Sequence, residues 1–410
     1  MRLPAKQAVV DGQESARRFA SRPLTWRFMR KRLRFGGLLE LSEGDFVSED
    51  RAGYDATHIE LLGEAEAVRL RPGMWLGSVG ERGLHQAVFG VVEWAVNEVL
   101  GGRGERLAVT LHGGGSVRVA VSGASGVPCA DDGTGLEELL TSHHPGARRC
   151  DRRRVGVGVF GNGPFLTNAL SSRLTAEVRR GGTGWVRTFE RGVAVGERAP
   201  VTGTDGGGDA TVIDFRPDGD IFETVVCSYD ALAERFRELA FLYGGLDLTL
   251  TDARRPDAPR SNRFHFPAGA ADFVAFLAGT ATAPAPFHFV HDDPRMNGSV
   301  EVALKWRHAP GGDHIRTFVN GWATTDGGAH LTGFHEGLRT AVAALADEHR
   351  FTPAVTAVVS VKLDHPDLTG ATRRTLSGPA VHTCVADAVA EHLRSWDGPG
   401  QDQGRGQRDA

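Results

Sequence analysis

The chain has 410 residues, enough for two or three domains at roughly 150 residues each. Its 40 % hydrophobic and 24 % charged content, with a mean hydropathy of -0.24, excludes a fibrous or wholly disordered protein. The net charge of -4 excludes a molecule that attracts nucleic acid as a whole, and Gly279, Pro284 and Pro286 break the longest uncharged stretch, Phe273 to Val290, short of the roughly 20 apolar residues a membrane span needs.

In chain order, residues 1–34 come first, with ten Lys/Arg against Asp11 and Glu14. Within them Arg30, Lys31, Arg32 and Arg34 alternate with Trp26, Phe28, Met29, Leu33 and Phe35. That pattern reads either as an amphipathic basic helix meeting nucleic acid or an acidic partner, or as a solvated extension. No apolar run of a secretory signal follows the basic residues, so the expected location is the cytoplasm. Residues 1–50 are therefore expected to be a basic N-terminal extension. Helical spacing appears in Glu60–Arg69, is interrupted by Arg71-Pro72-Gly73-Met74, and resumes over Gly83–Leu100 with Leu84, Val88, Val91, Ala95 and Val99 on one face. Strand-like alternation in Leu107–Leu111 and Val117–Val121 flanks the turn-forming Gly113, Gly114 and Gly115.

Next come a basic loop, a glycine-rich turn and a helix near Phe165–Leu170. Strands are expected at Leu174–Val178, Trp185–Glu190 and Ala210–Phe215, a helix at Tyr229–Leu242 and a strand at Leu246–Thr251. Pro256 and Pro259 make Asp252–Arg263 a natural domain boundary. Beyond it the pattern gives strands near Val300–Trp306 and His314–Asn320, a helix over Gly333–Ala346, a strand over Ala354–Lys362 and a helix over Pro379–Ser395. Residues 396–410, rich in Gly, Gln and Asp, read as a disordered tail. The four cysteines, Cys129, Cys150, Cys227 and Cys384, have no metal-ligand spacing and read as free thiols.

Several motifs occur in a telling order: Tyr54-Asp55-Ala56, Glu66-Ala67-Val68-Arg69, Arg71-Pro72-Gly73-Met74-Trp75-Leu76-Gly77, Gly83-Leu84-His85, Asn168-Ala169-Leu170-Ser171, Thr249-Leu250-Thr251-Asp252 and Asp326-Gly327-Gly328-Ala329-His330-Leu331-Thr332-Gly333-Phe334. Together they resemble the N-terminal half of the gyrase B protein, part of a type IIA DNA topoisomerase, over residues 51 to 395. The resemblance implies an α/β (α+β) fold: a GHKL-type ATPase sandwich over 51–263, then a transducer domain with a mixed sheet and helices over 264–395. It also implies a homodimer and a setting among gyrase or topoisomerase subunits or DNA. The family's DNA-cleaving Toprim domain lies downstream of this region, and its cleaving tyrosine in a partner protein.

The resemblance places the family's chemistry on particular residues. The helix after Gly-Leu-His carries, in the family, a Glu that activates the attacking water and, four residues on, an Asn that holds magnesium; here these are Gly90 and Trp94. Glycine offers no base, and an indole offers no oxygen to a hard cation. A glycine facing a tryptophan suggests a repacked pocket with the ring over the gap. The adenine-reading motif appears as Ser122-Gly123-Ala124-Ser125-Gly126-Val127-Pro128, with Ser122 where the buried Asp should stand. Gly158, Gly161 and Gly163 retain the glycine-rich lid, whose lysine position is Ala147. Arg148, Arg149, Arg152, Arg153 and Arg154 precede the lid as either a solvated charge run or a phosphate or nucleic-acid contact. Thr211 matches the family threonine near the adenine, Arg373 the transducer lysine that reaches the γ-phosphate, and His330 reads as structural. In a shifted register Glu93 and Asn97 would be the Glu/Asn pair, one turn along the helix.

The expected function is thus a degenerate, pseudo-ATPase relative acting as a dimerising or partner-binding module, with no metal site and no cofactor. The alternatives are a divergent ATPase subunit that binds ATP and magnesium, and a DNA-binding protein using the basic arm and the arginine loop.

Overall fold

The structure, a computed structural model, describes residues 62–123, 134–143, 157–158, 163–201, 208–279, 285–307, 312–345, 354–369 and 374–394. It opens with two short helices, α1 (Glu64–Leu70) and α2 (Pro72–Leu76); Pro72 interrupts the first but suits the opening turn of the second, where no intrahelical N–H is needed. Helix α3 (Glu81–Leu100) follows, and its 20 residues span about 30 Å. Strands β1 (Arg106–Leu111) and β2 (Val117–Ser122) form a hairpin closed by a 3-10 turn in which Gly114 and Gly115 take φ of 73° and 84°, a region that favours glycine.

Helices α4 (Thr134–Thr141) and α5 (Gly163–Ala169) lead to β3 (Ser171–Arg180), β4 (Thr183–Glu190), β5 (Val193–Pro200) and β6 (Ala210–Pro217). Helix α6 (Tyr229–Leu242) is capped by Ser228, whose hydroxyl accepts from the Ala231 amide at 3.3 Å. Strands β7 (Leu248–Asp252) and β8 (Arg260–Phe264) complete an eight-stranded sheet in the order β5-β4-β3-β6-β2-β1-β7-β8, in which only the β1–β7 pair is parallel. The stretch Asp252–Arg263, expected to hold the domain boundary, runs from the end of β7 through the hairpin turn into β8.

Helix α7 (Ala270–Leu277) carries the chain to a second sheet. Its strands are β9 (Phe287–Asp293), β10 (Gly298–Arg307), β11 (His314–Val319), β12 (Trp322–Ala323) and, after helix α8 (Ala329–Leu345), β13 (Ala354–Leu363). The order is β12-β11-β13-β10-β9, with β11 and β13 parallel. A two-stranded ribbon, β14 (Leu368–Thr369) with β15 (Thr375–Leu376), precedes helix α9 (Pro379–Arg394).

The two sheets bury their residues differently. In β2 burial alternates strictly, Val117, Val119 and Val121 inward and Arg118, Ala120 and Ser122 outward, as in a sheet covered on one face. Strand β13 is buried almost continuously: Val355, Ala357, Val359 and Val361 join the core beneath α8 and α9, while Val358, with Ala303 and Phe318, joins the core shared with α6, α7 and the first sheet. The second sheet is therefore covered on both faces. Cys227 and Cys384 are buried free thiols. No helix among the described residues is long and apolar enough to cross a membrane.

Candidate functional site

At Gly90, midway along α3, the inner face of the helix meets the first residue of α5. A Cβ built on Gly90 would lie 2.7 Å from the Gly163 Cα, and one built on Gly163 would lie 2.4 Å from the Gly90 Cα. The two backbones touch directly, with no volume for a side chain on either. Thr167 fastens the crossing, its hydroxyl 2.7 Å from the Ala87 carbonyl and 2.9 Å from that of Gly163, and Pro164 to Ala169 are all buried. The gap expected at Gly90 is therefore filled by α5, and the Trp94 ring is not what closes it. Trp94 is itself buried in the core of the first sheet.

The adenine-side residues separate in a way the motif spacing did not foresee. Thr211 pairs across β6–β2 with Val121, whereas Ser122 pairs with Ala210. Directly paired residues share a face and neighbours along a strand do not, so Ser122 lies on the opposite face from Thr211. The helix-covered position beside Thr211 belongs to Val121, an apolar side chain that a Cβ at Gly104 would overlap at 2.2 Å.

One turn beyond Gly90, Glu93 and Asn97 face the Val157–Gly158 segment. The Asn97 carboxamide donates to the Val157 carbonyl at 3.0 Å and accepts from the Val157 amide at 2.6 Å, so both of its functions are engaged. Gly158, with φ 98°, donates its amide to the Asn320 carbonyl at 3.1 Å, and a Cβ there would sit 2.7 Å from Glu93 Oε2. Glu93 is half-buried with its Oε1 sealed from solvent, and that burial, only partly offset by Arg235, pushes its carboxyl up to about 7.

Around Glu93 the fold gathers a polar cluster that sequence reasoning missed. The Arg235 guanidinium lies 5.2 Å over the Trp322 ring and 3.4 Å from Glu238, which in turn pairs with Arg316. Tyr243 packs against the Gly321 turn, and the Lys362 ammonium stands 5.0 Å over its ring. Burial drives the Tyr243 phenol well above its ordinary range. Glu301 accepts from Lys362 at 3.4 Å and lies 3.1 Å from His288; burial opposes its ionisation, but these two partners hold it below the usual glutamate value. Glu93 Oε1, Arg235 Nη2, Tyr243 Oη and Trp322 Nε1 are buried without a hydrogen-bond partner. No motif announces this cluster, because its members come from six separate stretches of chain.

Other motif residues are structural ties. Arg69 donates to the Ala169 carbonyl at 2.9 Å and to Asp218 at 2.6 Å, locking α1 to the end of α5. His330 is fully buried with Nε2 2.9 Å from the Thr324 hydroxyl, and burial lowers it to about 4. An open cleft of about 560 Å³ between Glu81, Cys227, Asp252, Arg254 and Arg260 contains none of the candidate residues, and burial pushes its Cys227 thiol up to about 12. Among the described residues no group of three or more His, Cys, Asp or Glu is placed to hold a metal ion. Gly90 and Trp94 offer no oxygen ligand, and Asn97 is already committed, so these positions do not fit a magnesium-bound nucleotide. Arg30, Lys31, Arg32, Arg34, Gly126, Ala147, Arg148, Arg149, Arg152, Arg153, Arg154, Gly161 and Arg373 lie outside the described residues.

Comparison with known proteins fits this architecture. The DNA gyrase B family profile matches residues 269–397. The chain is 33 % identical over 382 residues to the DNA gyrase B protein of Streptomyces coelicolor, covering 84 % of this chain and 55 % of that protein. It is 35 % identical over 362 residues to the DNA gyrase B protein of Archaeoglobus fulgidus, covering 84 % and 56 %. The chain thus spans a little over half the length of these relatives. Among solved structures, the gyrase B protein from Myxococcus xanthus superposes with a TM-score of 0.69 at 27 % identity, over 81 % of this chain and 95 % of that one. The 43K ATPase domain of Thermus thermophilus gyrase B, solved with an aminocoumarin, gives 0.67 at 27 % identity over 80 % and 88 %.

Proposed function

Because this chain belongs to the DNA gyrase B family, we propose that it is a gyrase-B-like pseudo-ATPase, a dimerising or partner-binding module linked to DNA topology. In this reading an ATPase-like part (51–263) and a transducer-like part (264–395) keep the scaffold while the hydrolytic site is lost. The observation that carries it is the contact of Gly90 with Gly163. A general base must come within hydrogen-bond reach of the attacking water, and its absence alone lowers a rate by about 10²–10⁴. Here the α5 backbone occupies the place from which that side chain would project. Val121 beside Thr211 supports the same reading, since an apolar side chain accepts no hydrogen bond from an adenine amine.

The experiment is calorimetry with ATP and magnesium alongside a steady-state hydrolysis assay on the full chain. The expected result is no binding heat and no turnover above background. Turnover that disappears on Glu93→Gln would overturn the proposal in favour of an ATPase working from the shifted register. The same reading makes assembly independent of nucleotide: sedimentation should give one species distribution with and without a non-hydrolysable ATP analogue. The partners it implies are a second copy of the chain and gyrase or topoisomerase subunits.

A further inference from the structure

Four strands end the two large sheets, and they are guarded unequally. Strand β5 carries a register shift against β4 and ends on Pro200, β8 bears Arg260 and Arg263, and β12 is two residues long. Bulges, charge, proline and brevity are the usual means by which an open edge avoids pairing with another chain. Strand β9 has seven residues, pairs with β10 without a register shift, and holds no Lys, Arg, Pro or Gly.

The open groups of β9 can be placed residue by residue. The Leu363 amide donates to the Asn320 carboxamide at 2.8 Å and the Leu363 carbonyl accepts from it at 3.0 Å, while the Val361 carbonyl accepts from the Asn320 amide. Odd-numbered residues of β13 therefore direct their backbone groups toward β11, and even-numbered ones toward β10. Carried across the β13–β10 and β10–β9 registers, this alternation leaves His288, Val290 and Asp292 with amide and carbonyl directed away from β10. Among the described residues nothing bonds these groups. Their side chains share one face and are exposed, Val290 by 56 %.

We propose that β9 is the seam of a homodimer, in which two copies join their second sheets edge to edge, antiparallel, about a two-fold axis at Val290. The seam rests on the dimerising role stated above and names the surface that serves it.

Self-complementarity selects a second copy over any other strand. The segment Pro286-Phe287-His288-Phe289-Val290-His291-Asp292-Asp293-Pro294 is matched to its own reverse. About the axis, Val290 meets Val290, and His288 of each copy stands opposite Asp292 of the other, an imidazole facing a carboxylate. Phe289 of each copy stands opposite His291 of the other. Both already pack on the His392 ring, Phe289 stacked at 4.2 Å and His291 edge-on at 5.6 Å, so each copy brings a formed aromatic group to the seam. In this register His288, Val290 and Asp292 form the hydrogen-bonded pairs, with roughly six backbone bonds in all. Pro286 and Pro294 face each other at the two ends, so the pairing stops where the N–H donors stop. An edge this short buries less surface than a permanent dimer needs, and the association should be reversible.

The test is sedimentation of the full chain over a concentration series without nucleotide, where a monomer–dimer equilibrium is expected. Val290→Lys sets two ammonium groups against each other at the axis. Val290→Pro removes the central donor and leaves the β9–β10 bonds intact, because that N–H points outward. Each should weaken the dimer by about tenfold or more with an unchanged melting curve. Val290→Lys leaves the backbone alone and carries the result if the proline variant melts early. Val193→Lys, at an exposed position on the β5 edge, should leave the equilibrium as it is. Val290→Cys puts a thiol on the axis, where paired Cα atoms stand about 5.5 Å apart. Oxidised glutathione should then trap a dimer whose 290–290 disulfide is read by mass spectrometry. A parent chain that stays monomeric would overturn both the seam and the dimerising role. A dimer that survives Val290→Lys, or that yields no 290–290 link, would overturn the seam alone and put the dimer contact elsewhere. ATP turnover is read separately by the hydrolysis assay, so neither result is confused with the loss of catalysis.

Discussion

Helix α3 makes two contacts one turn apart that are opposite in character. At Gly90 it presents bare backbone to the bare backbone of Gly163, and nothing polar is left to satisfy. At Glu93 and Asn97 it presents a carboxyl and a carboxamide to another glycine segment, and several polar atoms remain without partners. The first contact removes a pocket by filling it, and is stable because interiors are close-packed and such a contact leaves no void. The second keeps buried polarity that packing alone would not retain. A site can therefore be closed by approach of two backbones while a polar cluster survives a few ångströms along the same helix, and the two regions should respond differently to mutation and to pH.

The sharpest way to break this comparison is to put a side chain into the first contact. Gly90→Ala gains roughly 1 kcal/mol of helix propensity, yet its Cβ meets backbone that cannot give way cheaply. The net outcome should be a loss of about 1–3 kcal/mol in urea denaturation. Gly90→Glu adds an unpaired buried charge and should cost more than about 4 kcal/mol or prevent folding. A stabilised Gly90→Ala would show that α5 can withdraw.

The next effect separates the two faces of β2. Val121→Asp places a carboxylate under the helices and should cost about 3–5 kcal/mol. Ser122→Asp, on the other face, should stay within about 1 kcal/mol of the parent. Equal costs from chemical denaturation would mean that both residues share one face.

Third, pH sharpens the contrast through Glu93. Its folded pKa, about 7, lies above the ordinary 4.5, so the folded state holds the proton more tightly. The stability contribution is complete below 4.5 and is lost as pH rises from 4.5 to 7. His330 works the other way: lowered from 6.5 to about 4, it weakens the fold as pH falls through that window. The two slopes oppose each other where they overlap, so the parent profile should be shallow. The difference between Glu93→Gln and parent isolates Glu93 and should grow by roughly 3 kcal/mol between pH 4.5 and 7, then level off. A difference profile without slope would place Glu93 in contact with water.

The smallest effect is spectroscopic. The fluorescence component lost on Trp94→Phe should be blue-shifted, because the ring lies in the core, and should not change with micromolar ATP. Quenching by ATP would mean that nucleotide reaches this side of α3.

Much of the fold could be read from pattern. The helical spacing of Gly83–Leu100 and Tyr229–Leu242 anticipates α3 to within two residues and α6 to the residue, because each buries one continuous apolar face. Several elements escaped, and three show why. Strand β5 is an exposed edge with hardly any burial to pattern it, β9 mixes His and Asp into its alternation, and α7 is eight residues too apolar to show a face. The candidate site was legible as a set of positions, Gly90, Trp94 and Thr211, but not as a set of neighbours.

What the sequence by itself determined was the order of motifs, the family, and the absence of a side chain at Gly90. Those are local properties, carried by residue identity and spacing. Only the tertiary structure decided that Gly163 fills the space beside Gly90, that Val121 rather than Ser122 shares a face with Thr211, and that Glu93 is half-buried beside Arg235, Tyr243 and Trp322. The physical reason is common to all three. A strand exchanges its faces with a shift of one residue, two glycines meet only when their helices cross at that point, and the Glu93 carboxyl changes its acidity because distant parts of the chain exclude its water.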